Sequence, residues 1–249
     1  MITSVKNETI KQWNKLKIKK HRELQQLFII EGLHLVQEVL RSDWDVEALI
    51  LQDGAKIPEE IEALSDKITY VTENVMQHLT DTKTPQGIAA IVQMKELKIV
   101  NNQKLLLLDA IQDPGNVGTM IRTADAAGFD AVVLGDGTVD LYNDKVIRAS
   151  QGSLFHLPIA RKNLLAYTKE LKSQNVSIWG STLEQASPIQ EIAIPEQLAL
   201  IVGNEGAGVD QNLLEVADQR VHIPIYGQAE SLNVSVATGI MLYQIVTTK

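Results

Sequence analysis

Residues 221–246, VHIPIYGQAESLNVSVATGIMLYQIV, read as a short apolar strand, a glycine-containing loop that ends in Glu230 and Ser231, and a helix that begins near Asn233. Ser231 or Asn233 is placed to cap that helix, because a side-chain oxygen there accepts a bond from one of the first free N–H groups. Val234, Ala237, Met241, Leu242 and Ile245 recur at helical spacing and are expected to face a core. A polar cluster therefore stands on the hinge between strand and helix, which is where ligands bind in open α/β sheets.

Working outward, the same strand–loop–helix grammar recurs upstream. Leu105–Leu108 is a run of four leucines, as expected of a parallel strand covered on both faces. It leads into the Pro/Gly loop AIQDPGNVGT and a helix to about Ala127, where Gly128 supplies the terminating left-handed residue; Ala131–Leu134 is the next strand. Leu157–Ala160, Val176–Gly180, Leu198–Gly203 and Val221–Ile223 read as further strands, with helices over Asp144–Ser153, Leu164–Ser173 and Asp210–Ala217. Residues 105–249 thus form one parallel-sheet α/β domain. Residues 1–95 form a smaller α/β unit. It has a helix over 7–27 with Ile10, Trp13 and Leu16 inward, strands at Phe28–Glu31, Val46–Leu51, Ile68–Val71 and Gly87–Gln93, and helices at Leu33–Leu40, Pro58–Leu64 and Thr72–Leu79. Residues 96–104, which include Asn101-Asn102, lose apolar periodicity and are the expected linker.

Composition narrows the function classes. With 249 residues, 45% hydrophobic, and no apolar run approaching 18, the chain is expected to be globular with no membrane span. The start, MITSVKNETIKQW, has no apolar core of a secretory signal, and there is no cysteine for disulfides, thiol nucleophiles or thiolate metal sites; a cytoplasmic protein is expected. The five histidines, His21, His34, His78, His156 and His222, show no metal-ligand spacing, so no metal is expected. The formal charge is −8, but residues 1–22 carry Lys6, Lys11, Lys15, Lys17, Lys19, Lys20 and Arg22 against Glu8 alone, an excess of +6 that leaves −14 for the rest. That excess is either the solvated face of an amphipathic helix or a docking patch for a polyanion.

Three loops come after strands and are expected on one sheet edge. Asp113–Gly118 leads into a helix carrying Arg122, with Asn116 near its start; its G-N-V-G order lacks both G-x-G-x-x-G and G-K-[ST], so a plain βα turn competes with phosphate binding. Gly203–Gly208, GNEGAG, bares backbone amides to a flat ligand and holds Glu205 at its mouth, unless it is an ordinary turn. The third is Tyr226–Asn233.

Residues 105–246 resemble the catalytic domain of the SpoU (TrmH) family of RNA 2′-O-ribose methyltransferases, in the SPOUT superfamily. Three motifs carry the resemblance: Asn116-Val-Gly118-Thr-Met-Ile-Arg122-Thr123-Ala124; Ile201-Val202-Gly203-Asn204-Glu205-Gly206-Ala207-Gly208; and Ile223-Pro224-Ile225-Tyr226-Gly227 running on to Ser231-Leu232-Asn233-Val234-Ser235. The first 95 residues, with Phe28–Gly32 as FIIEG, resemble the small RNA-binding domain that often precedes it. The resemblance implies methyl transfer from S-adenosylmethionine to a ribose 2′-hydroxyl, a C-terminal trefoil knot, and a homodimer. It also implies cofactor contacts at Gly203, Asn204, Gly208, Ile223 and Leu232. Catalytic roles fall on Arg122, Asn116, Glu205, Ser231 and Asn233, and RNA contact on Lys11, Lys15, Lys17, Lys19, Lys20 and Arg22. Ribosomal RNA is favoured over transfer RNA.

A guanidinium stays protonated in proteins, so Arg122 is expected to clamp a phosphate and favour a developing alkoxide rather than act as a base, with Asn116 orienting it. Its bland alternative is a helix-surface arginine; for Ser231 and Asn233 it is capping alone. Two other classes compete: a binding-only RNA or ribosome-assembly factor, and an oxidoreductase, which would need a G-x-G-x-x-G that the chain lacks.

Overall fold

A computed structural model of the chain describes residues 1–62, 65–82, 84–100 and 103–248. Ala63 and Leu64, at the end of one expected helix, and Asn101-Asn102 of the expected linker lie outside the described residues. The chain divides into two compact units, Met1–Lys95 with Asp140–Phe155, and Glu96–Val139 with His156–Lys249.

In the first unit, β1 (Leu27–Glu31), β2 (Val46–Gln52), β3 (Ile68–Val71) and β4 (Ile88–Gln93) form a four-stranded sheet of order β1-β4-β2-β3. β4 is antiparallel to both neighbours and only β2 and β3 run parallel. The helices are α1 (Glu8–Lys15), α2 (Lys19–Gln25), α3 (Leu33–Arg41), α4 (Glu59–Glu62) and α5 (Glu73–Leu79). The single helix expected over 7–27 is broken. Asn7 caps α1 through bonds from Thr9 and Ile10 N–H, the chain turns at Leu16–Ile18, and Ile18 is extended. The buried Arg22 guanidinium donates to the Leu16 (2.8 Å) and Lys17 (2.9 Å) carbonyls that the break frees. Ile10 and Leu16 are buried beneath α5, as their spacing implied, and Trp13 packs beside them.

Residues Asp140–Phe155, which include α7 (Asp144–Ser150), pack on this unit through mixed chemistry. Arg22 also pairs with Asp140, Tyr142 stacks tilted on Phe28 at 4.6 Å, and Trp44 meets Phe155 edge-on at 5.4 Å.

In the second unit, β5 (Lys104–Leu108), β6 (Ala131–Leu134), β7 (Ile159–Arg161), β8 (Ser177–Ser181), β9 (Ser187–Pro188), β10 (Leu198–Val202) and β11 (Gln219–His222) form an all-parallel sheet of order β7-β6-β5-β10-β8-β11-β9. Leu105–Leu108 are all fully buried, and so are Leu198–Ile201 beside them, because a central parallel strand is covered on both faces. The helices are α6 (Pro114–Ala126), α8 (Leu164–Ser173), α9 (Gln211–Val216) and α10 (Val234–Thr247). After β5 the chain builds outward through β6 and β7, then crosses to the other side for β8 to β11. The β5/β10 junction is therefore the topological switch point, where a crevice opens at the carboxyl ends of the strands. No helix among the described residues is long and apolar enough to cross a membrane.

Candidate active site

The crevice is a cleft of about 1470 Å³ walled almost entirely by the segments that leave the strand ends: Asp109 after β5, Asp136 after β6, Ser181–Glu184 after β8, residues 203–208 after β10, and Ile223 onward after β11. Its base is close-packed backbone. A Cβ on Gly203 would sit 2.1 Å from the Val209 nitrogen and 2.2 Å from the Gly208 carbonyl carbon, so only glycine fits. Gly208 adopts φ +73, which closes the turn. Asn204 organises the loop: its Oδ1 accepts from Gly206 and Ala207 N–H at 3.0 Å each, its carbonyl accepts from Gly208 N–H at 2.9 Å, and its Nδ2 donates to the Ala110 carbonyl at 2.8 Å. Both ends of the Asn204 amide are thus occupied within the protein.

The first motif sits on a helix that starts earlier than expected. Asp113 caps α6 by accepting from Asn116 N–H at 2.8 Å, and Pro114 occupies the first turn, where its missing N–H costs nothing. The expected loop over Asp113–Gly118 is therefore the first turn of α6. This places the Asn116 side chain at the helix mouth, where it meets the other two motifs. Its Nδ2 donates to Glu205 Oε1 at 3.0 Å, and its Oδ1 accepts from Asn233 Nδ2 at 3.1 Å. Glu205 also accepts from Asp113 N–H at 3.1 Å and Gln112 N–H at 3.3 Å. Burial pushes the Glu205 carboxyl up, but the Asn116 side chain and the backbone N–H groups outweigh it, so its pKa lies below the ordinary range. Asn233 ends the chain of bonds by capping α10, accepting from Ser235 N–H (3.0 Å) and Val236 N–H (3.3 Å). Three stretches, the outermost 117 residues apart, are joined by one polar thread.

Ile223, Ser231 and Leu232 line the cleft with Asn204, Gly203 and Gly208. Ser231 and Leu232 are exposed, and Asn233, not Ser231, is the cap. On α10, Met241, Leu242 and Ile245 are buried as expected, while Val234 and Ala237 are only half-buried because they face the cleft. Arg122 lies on the exposed side of α6 and does not line the cleft. Asn116 does not orient it: the Asn116 amide is committed to Glu205 and Asn233, and six helical residues separate the two positions by about 9 Å along the axis.

Among the basic residues of the N-terminal stretch, Lys11, Lys15, Lys19 and Lys20 are exposed, Lys11 pairing with Glu8 at 2.7 Å and Lys19 with Glu23 at 3.6 Å. Arg22 is withdrawn from any exposed patch, because its guanidinium is spent on two carbonyls and Asp140. Lys17 is similarly engaged, with Asp81 at 2.9 Å and the His78 and Thr80 carbonyls. Asp109 was missed by sequence reading. The signal for it was positional: it is the first polar residue after the leucine strand, where cleft walls begin. Burial pushes its carboxyl pKa up, while a 2.7 Å bond from Asp210 N–H opposes this.

Known proteins are similar to this chain in both sequence and fold. Residues 103–243 match the SpoU rRNA methylase family and residues 7–90 match the MRM3-like substrate binding domain. The chain belongs to the SpoU rRNA methylase family, and its parallel sheet is the SPOUT methyltransferase fold. It is 50% identical over 244 residues, 98% of each chain, to the 23S rRNA (guanosine(2553)-2′-O)-methyltransferase RlmP of Bacillus subtilis. Its structure resembles an AdoMet-bound rRNA methyltransferase from Sinorhizobium meliloti, with TM-score 0.89, 31% identity and coverage of 98% of this chain and 96% of that one. It also shares its fold with the SpoU methyltransferase AviRb of Streptomyces viridochromogenes, at TM-score 0.86 and 24% identity over 97% of each chain.

Proposed function

We propose that the chain transfers a methyl group from S-adenosylmethionine to the 2′-hydroxyl of a guanosine in 23S ribosomal RNA. The observation that carries this reading is the meeting of Glu205, Asn116 and Asn233 beside a cleft where Gly203 leaves no room for a Cβ. The residues present fit the donor. Gly203 lets the 208–209 backbone close tightly behind the loop, Gly208 leaves the loop surface bare for a flat adenine, Ile223 and Leu232 supply apolar walls, and Asn204 holds the loop in shape. When bound, S-adenosylmethionine supplies a methyl group already activated on sulfur.

The protein's own work is positioning. The Glu205–Asn116–Asn233 thread fixes the entrance of α6 against that of α10, and Ser231 stands free at the cleft rim to meet the ribose. Arg122, on the exposed face of α6 outside the cleft, holds the phosphate next to the target of an RNA lying across the cleft mouth, and its permanent charge favours the developing alkoxide from there. Lys11, Lys15, Lys19 and Lys20 add sequence-independent attraction for RNA.

Val236, Ile240 and Tyr243 leave an apolar stripe of α10 exposed, which supports a homodimer through that helix. The strand, loop and helix of residues 219–247 share one cleft with the 203–208 loop, consistent with a C-terminal trefoil knot. The absence of cysteine suits the cytoplasm.

The test is Arg122→Ala, with donor affinity by titration calorimetry and single-turnover transfer to 23S rRNA measured side by side. Affinity is expected within a few-fold of wild type and transfer to fall by about 10²-fold or more. Transfer that survives within a few-fold would overturn the role of Arg122. Failure of the wild type to bind S-adenosylmethionine would favour a binding-only RNA factor instead.

A further inference from the structure

The cleft has an unusual charge balance for a site expected to meet RNA. Five carboxylates line it, Asp109, Asp136, Glu184, Glu205 and Asp210, and among the described residues no lysine or arginine does. Four of the five are exposed, so water and salt screen them; Asp109 alone is half-buried. Glu205 is compensated by three N–H donors, whereas Asp109 receives one, from Asp210 N–H to Oδ2. Its Oδ1 accepts no hydrogen bond among the described residues. Asp109 also stands at the carboxyl end of β5, beside β10 and its Gly203 loop, on the floor of the cleft. Its charge is therefore the least screened by solvent of the five, and only one hydrogen bond compensates it.

We propose that Asp109 makes the cleft select the cationic methyl donor over the neutral thioether that remains after transfer. This rests on the reading that the donor is S-adenosylmethionine. At neutral pH that molecule carries a sulfonium, an ammonium and a carboxylate, for a net charge of about +1. Transfer forms the oxygen–methyl bond and breaks the carbon–sulfur bond; sulfur keeps the electron pair, and the hydroxyl proton leaves to solvent. S-adenosylhomocysteine is then net neutral and loses the attraction of a partly desolvated carboxylate. A cation held in the same cleft as this partly desolvated carboxylate would be favoured over a neutral isostere by about tenfold. Exchange of spent donor for fresh donor is thereby built into the wall of the site. The raised pKa of Asp109 agrees, since a half-buried carboxylate with one hydrogen-bond donor gains from an arriving cation.

The experiment is titration calorimetry of the full chain with three probes: S-adenosylmethionine, S-adenosylhomocysteine, and sinefungin, which carries an ammonium where the methylated sulfur stands. Wild type is expected to bind both cations about tenfold more tightly than the thioether, and raising salt from about 50 to 500 mM is expected to narrow that ratio. Asp109→Asn retains an acceptor for Asp210 N–H and removes the charge. It should bring the ratio to about 2 or less while leaving the S-adenosylhomocysteine affinity within about twofold. Equal weakening of all three probes would show that Asp109 only supports the Asp210 turn, and would overturn the proposal, as would a wild-type ratio near one that salt does not alter. Should Asp109→Asn not fold, the salt dependence of the wild-type ratio decides alone. Binding of none of the probes by wild type would instead overturn the donor assignment itself, an outcome distinct from loss of selectivity.

Discussion

Gly203→Ala is the perturbation that the geometry constrains most tightly. The added methyl would lie 2.1 Å from the Val209 nitrogen, 2.2 Å from the Gly208 carbonyl carbon and 2.3 Å from the Gly208 oxygen, where an ordinary contact begins at 3.4 Å. All three atoms are backbone, so no rotamer change relieves them. The 203–209 loop must open by about 1 Å or more, an overpacking that costs about 1–3 kcal/mol. For a chain of this size that lowers the melting temperature by about 2–12 °C. The same shift carries Asn204 and Glu205 with it, stretching the 3.0 Å bond to Asn116 and the 2.8 Å bond to Ala110. Donor binding should weaken by about 10²-fold, the scale of a 1 Å misplacement. Gly206→Ala in the same loop is the control, because its Cβ would meet only Asn204 Oδ1 at 3.7 Å. Scanning fluorimetry and calorimetry on both variants check the reasoning. A Gly203→Ala protein that melts and binds like Gly206→Ala would refute it.

Three further outcomes are expected. Gly239→Ala, inside α10 with only Thr123 Cγ2 at 3.5 Å, should stabilise the chain by up to about 1 kcal/mol in urea unfolding; destabilisation would mean that α10 and α6 leave no room for the methyl. Arg22→Ala leaves Asp140 without its cation and frees two carbonyls, which should cost about 3 kcal/mol; the low end of the buried-pair range applies because the Asp140 side chain keeps 21% exposure. A shift under about 0.5 kcal/mol in urea unfolding would show that the pair is not structural. Glu205 has a folded pKa below its ordinary value of 4.5, so its ionised form adds stability above that pH and loses it as pH falls through the folded pKa. The stability gap between wild type and Glu205→Gln should therefore be widest near neutrality and close in acid; a gap that widens on acidification would contradict the sign.

Much of the second unit was legible because its burial is two-sided. Leu105–Leu108 and Leu198–Val202 are unbroken apolar runs, and the structure pairs them directly. The end of the third motif was legible because Asn233 is the residue type that caps helices, and it does so. The start of α6 was misjudged because the two glycines at 115 and 118 suggest loop, whereas Asp113 and Pro114 are a stronger helix-start signal. The break between α1 and α2 rests on Arg22 reaching back to carbonyls and onward to Asp140, a partner 118 residues away that no local pattern can reveal. For the same reason the return of Asp140–Phe155 to the first unit leaves no periodic signature. The edge strand Ser187–Pro188 is too short and too polar to register as a strand, and it is one where proline is tolerated. In the site, motif spacing carried the polar residues, but that Asn116 answers to Glu205 and Asn233 rather than to Arg122 is a matter of helix phase.

The most direct measurement incubates the full chain with methyl-labelled S-adenosylmethionine and a 23S rRNA transcript, then maps the labelled nucleotide by nuclease digestion and mass spectrometry. One methyl on the ribose of a single guanosine, abolished by Arg122→Ala with donor binding intact, is the predicted result. Label on a base, or bound donor and bound RNA with no transfer, would contradict it.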